Sequence, residues 1–179
     1  MKVAVCFGTG YEEIEALAVV DVLRRGKVDV VMVGVTGSEV TSSRNITVKM
    51  DKVIKEVDFD QIDMIVLPGG VPGVKSLEEN ELLKQQLVKF KNENKWIGAI
   101  CAAPSILGHL NLLENEEATC YPGYESELNC KKQGEIGVVT SGKIVTASGA
   151  GYSINFGLEL LKIIKGEEVA NKVKNGMLI

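Results

Sequence analysis

Short, nearly unbroken apolar runs alternate along this chain with longer stretches whose apolar positions return every three or four residues. The first kind reads as strands buried on both faces, the second as helices with one face turned inward. Residues 2–7 predict a strand, 12–25 an amphipathic helix, and Val28–Val35 a second buried strand. A polar, β-branched segment at 40–50 (Val40-Thr41-Ser42-Ser43, then Ile46-Thr47-Val48) predicts a hairpin or edge excursion. Met64-Ile65-Val66-Leu67 is a buried strand stopped by the loop Pro68-Gly69-Gly70-Val71-Pro72-Gly73. A helix over about 79–93, begun by Ser76 or Glu78, carries Leu82, Leu83, Leu87, Val88 and Phe90. The strand ending at Ile100 and a helix after Pro104 follow, then an irregular region at 114–134. Ile136–Thr140 and Ile144–Ala147 flank the turn Ser141-Gly142, and helices over Ser153–Ile164 and Glu167–Lys174 close the chain. This alternation predicts a mostly parallel sheet covered by helices on both faces. Ligands of such sheets sit beyond the carboxyl ends of the strands. The loops Gly8–Glu13, Pro68–Gly73 and Cys101–Pro104 each follow a strand and are expected to converge there.

Composition narrows the picture. At 179 residues the chain suits one domain, 1–179, and it shows no linker, repeat or low-complexity segment. Its net charge of −4, from 20 basic and 24 acidic residues without a basic block, argues against nucleic-acid binding. No apolar run approaches the ~20 residues that cross a bilayer. The start, Met1-Lys2-Val3-Ala4-Val5-Cys6-Phe7-Gly8, has too short an apolar part for a signal peptide and reads as the first strand. Cys6, Cys101, Cys120 and Cys130 lack metal-site spacing and are expected to be reduced thiols of a cytoplasmic protein. Neither Gly-x-Gly-x-x-Gly nor P-loop spacing occurs, so no dinucleotide, nucleoside triphosphate or other cofactor is implied.

The chemistry concentrates at Trp96-Ile97-Gly98-Ala99-Ile100-Cys101-Ala102-Ala103-Pro104. An apolar strand, a cysteine, two small residues and a proline suited to a helix's first turn spell a nucleophile elbow. Free N–H groups at that helix start would favour a thiolate. The plain alternative is a buried structural cysteine. Glu15 has Ala18 and Val19 one turn on, so it is either a half-exposed helix acid or a buried carboxyl able to share a proton with a sulfur. Glu12 and Glu13 suit the helix N-terminus. The N–H groups of Gly70 and Ala102 could form an oxyanion hole. His109, the only histidine, lies about two turns past Cys101 and points away from it. Cys6 reads as core, and Cys120 or Cys130 could serve as a resolving thiol.

Gly10-Tyr11-Glu12-Glu13-Ile14-Glu15, Val20–Arg25, Leu67-Pro68-Gly69-Gly70, Ala99–Pro104 and Thr146–Gly151 together resemble the ThiJ/PfpI superfamily. Within it the chain is most similar to the parkinsonism-associated protein deglycase branch. The resemblance runs from end to end, and its motifs keep their order. It implies a flavodoxin-like three-layer α/β/α sandwich that forms a homodimer, with Ile14 as an interface residue. It also implies a reactive, oxidisable Cys101, a protonated Glu15 as its partner, and oxyanion donors at Gly70 and Ala102. Arg44 matches a family arginine that reaches toward the partner subunit's cysteine region, and Arg25 a second arginine near that interface. Where this branch often carries a histidine before a proline, the sequence has Tyr121 before Pro122, and tyrosine is a poor base near pH 7. The peptidase-like branch has histidine after the nucleophile. Ala102 stands there, which argues against a peptidase. The expected function is a cofactor-free, cysteine-dependent enzyme acting on methylglyoxal-type 2-oxoaldehydes or early glycation adducts. Two other readings are a redox sensor or stress chaperone working through Cys101 oxidation, and an enzyme with a different small-molecule substrate.

Overall fold

A computed structural model describes residues 1–179. Its centre is a seven-stranded sheet built from β1 (Lys2–Phe7), β2 (Asp29–Gly34), β5 (Lys52–Val53), β6 (Met64–Leu67), β7 (Trp96–Ile100), β10 (Val138–Ser141) and β11 (Ile144–Ala147). The strand order is β10-β11-β7-β6-β1-β2-β5, parallel throughout except for the antiparallel pair β10–β11. Alternate residues of the parallel strands feed two cores. Ala4, Cys6, Ile65, Leu67, Ile97 and Ala99 face one; Val3, Val5, Phe7, Met64, Val66 and Ile100 face the other. This two-sided burial is why these strands read as unbroken apolar runs.

Helices α1 (Glu13–Arg25), α5 (Ser153–Lys165) and α6 (Glu167–Gly176) cover the second core. Helices α2 (Val71–Glu78), α3 (Glu81–Asn92) and α4 (Pro104–His109) cover the first. The three-layer α/β/α fold is the expected one. No helix is long and apolar enough to cross a membrane.

Several elements differ from the expectation. Val71, Pro72 and Gly73, read as the end of the loop Pro68–Gly73, open a separate helix, α2. Pro72 falls in the helix's first turn, where no N–H is needed, and Val74 N donates to Gly70 O at 2.8 Å. The next helix begins at Glu81, because the Asn80 side chain caps it by accepting from Leu83 N at 2.9 Å, and not at Ser76 or Glu78. The expected hairpin is β3 (Glu39–Thr41) paired with β4 (Thr47–Lys49), and the two-residue β5 after it had no periodicity long enough to read. Within 114–134, β8 (Glu117–Ala118) and β9 (Lys132–Gln133) pair in parallel.

From β1 the chain steps outward to β2 and β5, then returns to β6 on the other side of β1. That reversal opens a crevice between β1 and β6, at the carboxyl ends of the strands. The loops after β1, β6 and β7 therefore stand side by side.

Candidate functional site

Cys101 follows the last residue of β7 and carries φ +66, the left-handed region that non-glycine residues adopt uncommonly. Its N–H donates to Ala147 O, and its carbonyl accepts from Tyr121 N, both at 2.8 Å. Pro104 opens α4 three residues on. The elbow read from the sequence is thus present, its backbone held from two sides.

Glu15 approaches from α1. It is 1% exposed, its Oε2 accepts from Gly69 N at 2.9 Å, and its carboxyl stands beside Cys101 across Gly69, close enough for the two groups to shift each other's proton affinity. The half-exposed alternative does not hold: β6 and its glycine loop close over this helix face. The two glycines divide the work. Gly69 supplies a donor to Glu15 and has no room for a side chain, since a Cβ there would stand 2.4 Å from Glu15 Oε2 and 2.6 Å from Cys101 Cβ. Gly70, at φ +88, and Ala102 offer backbone N–H groups that favour a charged Cys101 sulfur. The double glycine after β6 is legible as a motif, but the sequence assigns a donor role to Gly70 alone and none to Gly69.

The electrostatics follow from this enclosure. Burial pushes the Glu15 carboxyl up to about 7, the charge of Glu12 adds to the rise, and the neighbouring Cys101 thiol and Gly69 N–H oppose it. Burial also pushes the Cys101 thiol up to about 12, with the neighbouring Glu15 adding and the Gly70 and Ala102 N–H groups opposing. The backbone donors at the helix start thus favour the thiolate, while burial and the Glu15 charge work against it. Once Glu15 holds a proton its charge no longer opposes a thiolate, and its O–H can donate to the sulfur.

A cavity of about 460 Å³ opens over the sulfur, lined by Glu12, Ser43, Arg44, Gly70, Val71, Pro72, Cys101, Ala102, Tyr121 and Tyr124. Tyr121 and Arg44 thus belong to the same chamber as Cys101, and Arg44 reaches it within its own chain. Glu13 places that arginine. Its buried carboxylate accepts from Ser42 Oγ, Ser43 Oγ and Arg44 N, pinning the β3–β4 turn beside the loop after β1. Burial works against the Glu13 carboxylate, but these bonds hold it below the usual range. Glu13 was assigned to the helix start alone; an acid's tertiary partners leave no mark in local sequence.

Arg25 does not line the site. It ends α1, ~15 Å of helix beyond Glu15, pairs with Asp21 at 2.7 Å, and borders a separate cleft with Lys27, Lys165 and Lys172. His109 faces away as expected, its ring nitrogens meeting Glu78 and, at 3.3 Å, Glu127. Cys6 is fully buried. Cys120 and Cys130 are free thiols outside the cavity.

Comparison with known proteins places this geometry in context. The model of the DJ-1/PfpI family matches residues 1–163. Protein dj-1beta of Drosophila melanogaster is 32% identical over 178 residues, covering 98% of this chain and 95% of that protein. Protein DJ-1 homolog B of Arabidopsis thaliana is 33% identical over 99% of this chain, which spans only 41% of that relative's length; for homolog A the share is 44%. Among solved structures, oxidised Toxoplasma gondii DJ-1 superposes with a TM-score of 0.95 at 36% identity, covering 99% of this chain and 97% of that one.

Proposed function

Because the chain belongs to the DJ-1/PfpI family, we propose that it is a cofactor-independent, cysteine-dependent enzyme of glyoxalase or deglycase type acting on methylglyoxal-like 2-oxoaldehydes. The observation that carries this is the Cys101 thiol beside the buried Glu15, with Cys101, Gly70 and Ala102 together lining an open cavity. In this reading Glu15, as carboxylate, takes the thiol proton while the sulfur adds to the aldehyde carbon. The carbonyl electron pair moves to oxygen, and the N–H groups of Gly70 and Ala102 stabilise that alkoxide. Protonation of the alkoxide gives a hemithioacetal. Glu15 then relays the proton of the former aldehyde carbon to the neighbouring carbonyl carbon, leaving a lactoyl thioester. Water cleaves the thioester, restoring the thiol and releasing lactate, so the net reaction adds one water to methylglyoxal. Opening an early glycation adduct on an amine would use the same addition.

The test is lactate formation from methylglyoxal without glutathione, in the parent and in Cys101→Ser and Glu15→Gln. Turnover in the parent, rising with pH through about 7 as Glu15 loses its proton, and lost in both variants, is expected. A reduced parent protein that forms no lactate would sink the enzyme reading.

Two observations favour a redox role as the second reading: Tyr121 stands where the resemblance expects an imidazole, and one structural relative was solved in its oxidised form. Two equivalents of peroxide would convert the Cys101 thiol to a sulfinate with release of two waters, and Glu15 and the two N–H groups would donate to its oxygens. Intact mass and peptide mapping after graded peroxide test it; oxygen found away from Cys101 excludes it. We also propose, from the family resemblance and from Ile14, which is 56% exposed, that two copies pair. A monomer in light scattering would overturn this.

A further inference from the structure

We propose that Thr119, Thr146 and Ser148 are positioning residues for Cys101, acting through the Tyr121 N–H that holds the elbow in its left-handed conformation. The inference rests on Cys101 being the reacting group. Of the two backbone anchors on Cys101, Ala147 O belongs to β11, which the sheet holds in register with β7. The other, Tyr121 N, lies past the end of β8 in a segment that no strand of the central sheet pairs with. Hydroxyl groups fix that segment instead. Thr119 N donates to Thr146 Oγ1 at 2.9 Å, and Thr119 Oγ1 meets Ser148 Oγ at 3.0 Å. Ser148 Oγ also accepts from Gly137 N at 2.9 Å, and Glu117 N donates to Ser141 Oγ at 3.1 Å. Thr119, Thr146 and Ser148 are all buried.

The geometry has one consequence. Residues 119–121 are laced to the end of β11, the same strand end that accepts from Cys101 N, so both anchors of the elbow move as one body. A left-handed non-glycine residue relaxes toward ordinary φ unless its surroundings hold it. Without the lacing the Tyr121 anchor loosens, and the sulfur leaves its place beside Glu15. It then becomes more exposed to water and more ionised, but worse aimed.

The experiment uses Thr119→Val, Ser148→Ala and the conservative Thr119→Ser. Each of the first two removes about one hydrogen-bonded hydroxyl, a small loss for a domain of this size, so both should fold. Iodoacetamide alkylation is followed against pH, with peptide mapping to resolve each cysteine. For Thr119→Val and Ser148→Ala, the Cys101 midpoint is expected to fall by about one unit, which is about tenfold in thiolate at a fixed pH. Fully buried Cys6, the reporter of global opening, should stay unchanged. Thr119→Ser should keep the parent profile. In lactate formation, kcat is expected to drop about fivefold with KM unchanged, the ratio one hydrogen bond is worth. A parent-like Cys101 profile in both variants would overturn the proposal, as would faster alkylation of Cys6 and Cys101 together. Alkylation is readable whether or not methylglyoxal is turned over, so failure of the enzyme reading and failure of this one are told apart.

Discussion

Substituting Glu15 by glutamine should change not only activity but the pH dependence of stability, by an amount the structure sets. The carboxyl rises from the ordinary 4.5 to about 7, mainly through burial. Between those values the folded protein keeps a proton that the unfolded chain has released, so the stability of the parent falls as pH rises through this window. A gap of about 2.5 units corresponds to about 3 kcal/mol. Glutamine is nearly isosteric. Its carbonyl can still accept from Gly69 N, and its amide can donate to the Cys101 sulfur, so little is lost below pH 4.5. The difference in unfolding free energy, variant minus parent, should therefore climb by about 3 kcal/mol from pH 4.5 to pH 8 and then level off. At 2–4 °C per kcal/mol for a chain of this length, the melting temperatures should diverge by about 6–12 °C. Titratable groups not coupled to Glu15 cancel between the two proteins, among them Glu13, held low by its own hydrogen bonds. Chemical denaturation at a series of pH values under reductant measures the effect. A difference that stays flat to within about 1 kcal/mol across the window would refute both the raised carboxyl and the account of its burial.

Three further outcomes follow from the geometry. Gly69→Ala drives a methyl group into Glu15 Oε2 and Cys101 Cβ, and should lower lactate formation at least about tenfold while circular dichroism shows a folded protein; near-parent activity would contradict the close approach. His109→Ala removes contacts to Glu78 and Glu127 on the surface, so steady-state kinetics should stay within about twofold of the parent, and a larger loss would mean that the imidazole acts at the site. Asn80→Ala deletes the cap of α3 and should cost about 1 kcal/mol in urea unfolding without altering kinetics; no loss would mean that the cap contributes nothing.

Much of the fold was legible because its signals are local. Strands buried on both faces, such as Val3–Phe7 and Met64–Leu67, can only be apolar throughout, and helices such as α5 must show one apolar face. Cys101 was legible for the same reason: a strand, small residues and a proline are adjacent in the chain. Helix α2 escaped because proline and glycine suit a loop and a helix's first turn equally well, and only the packing of Val74 and Leu77 on the core decides between them. Arg25 followed from resemblance alone, and the length of α1 carries it away from the cavity.

The sequence by itself determined which segments become strands and helices, and that a cysteine ends one strand while an acid sits in the first turn of the first helix. Side-chain periodicity and turn chemistry act over a few residues, so they can be read directly. Only the tertiary structure decided that Glu15 is buried against that cysteine, that Gly69 and Gly70 serve different atoms, that Glu13 pins the Arg44 loop, and that buried hydroxyls hold the far anchor of the elbow. Those partners come from segments far apart in the chain. Their proton affinities depend on how much water the assembled layers exclude, and no local pattern records that.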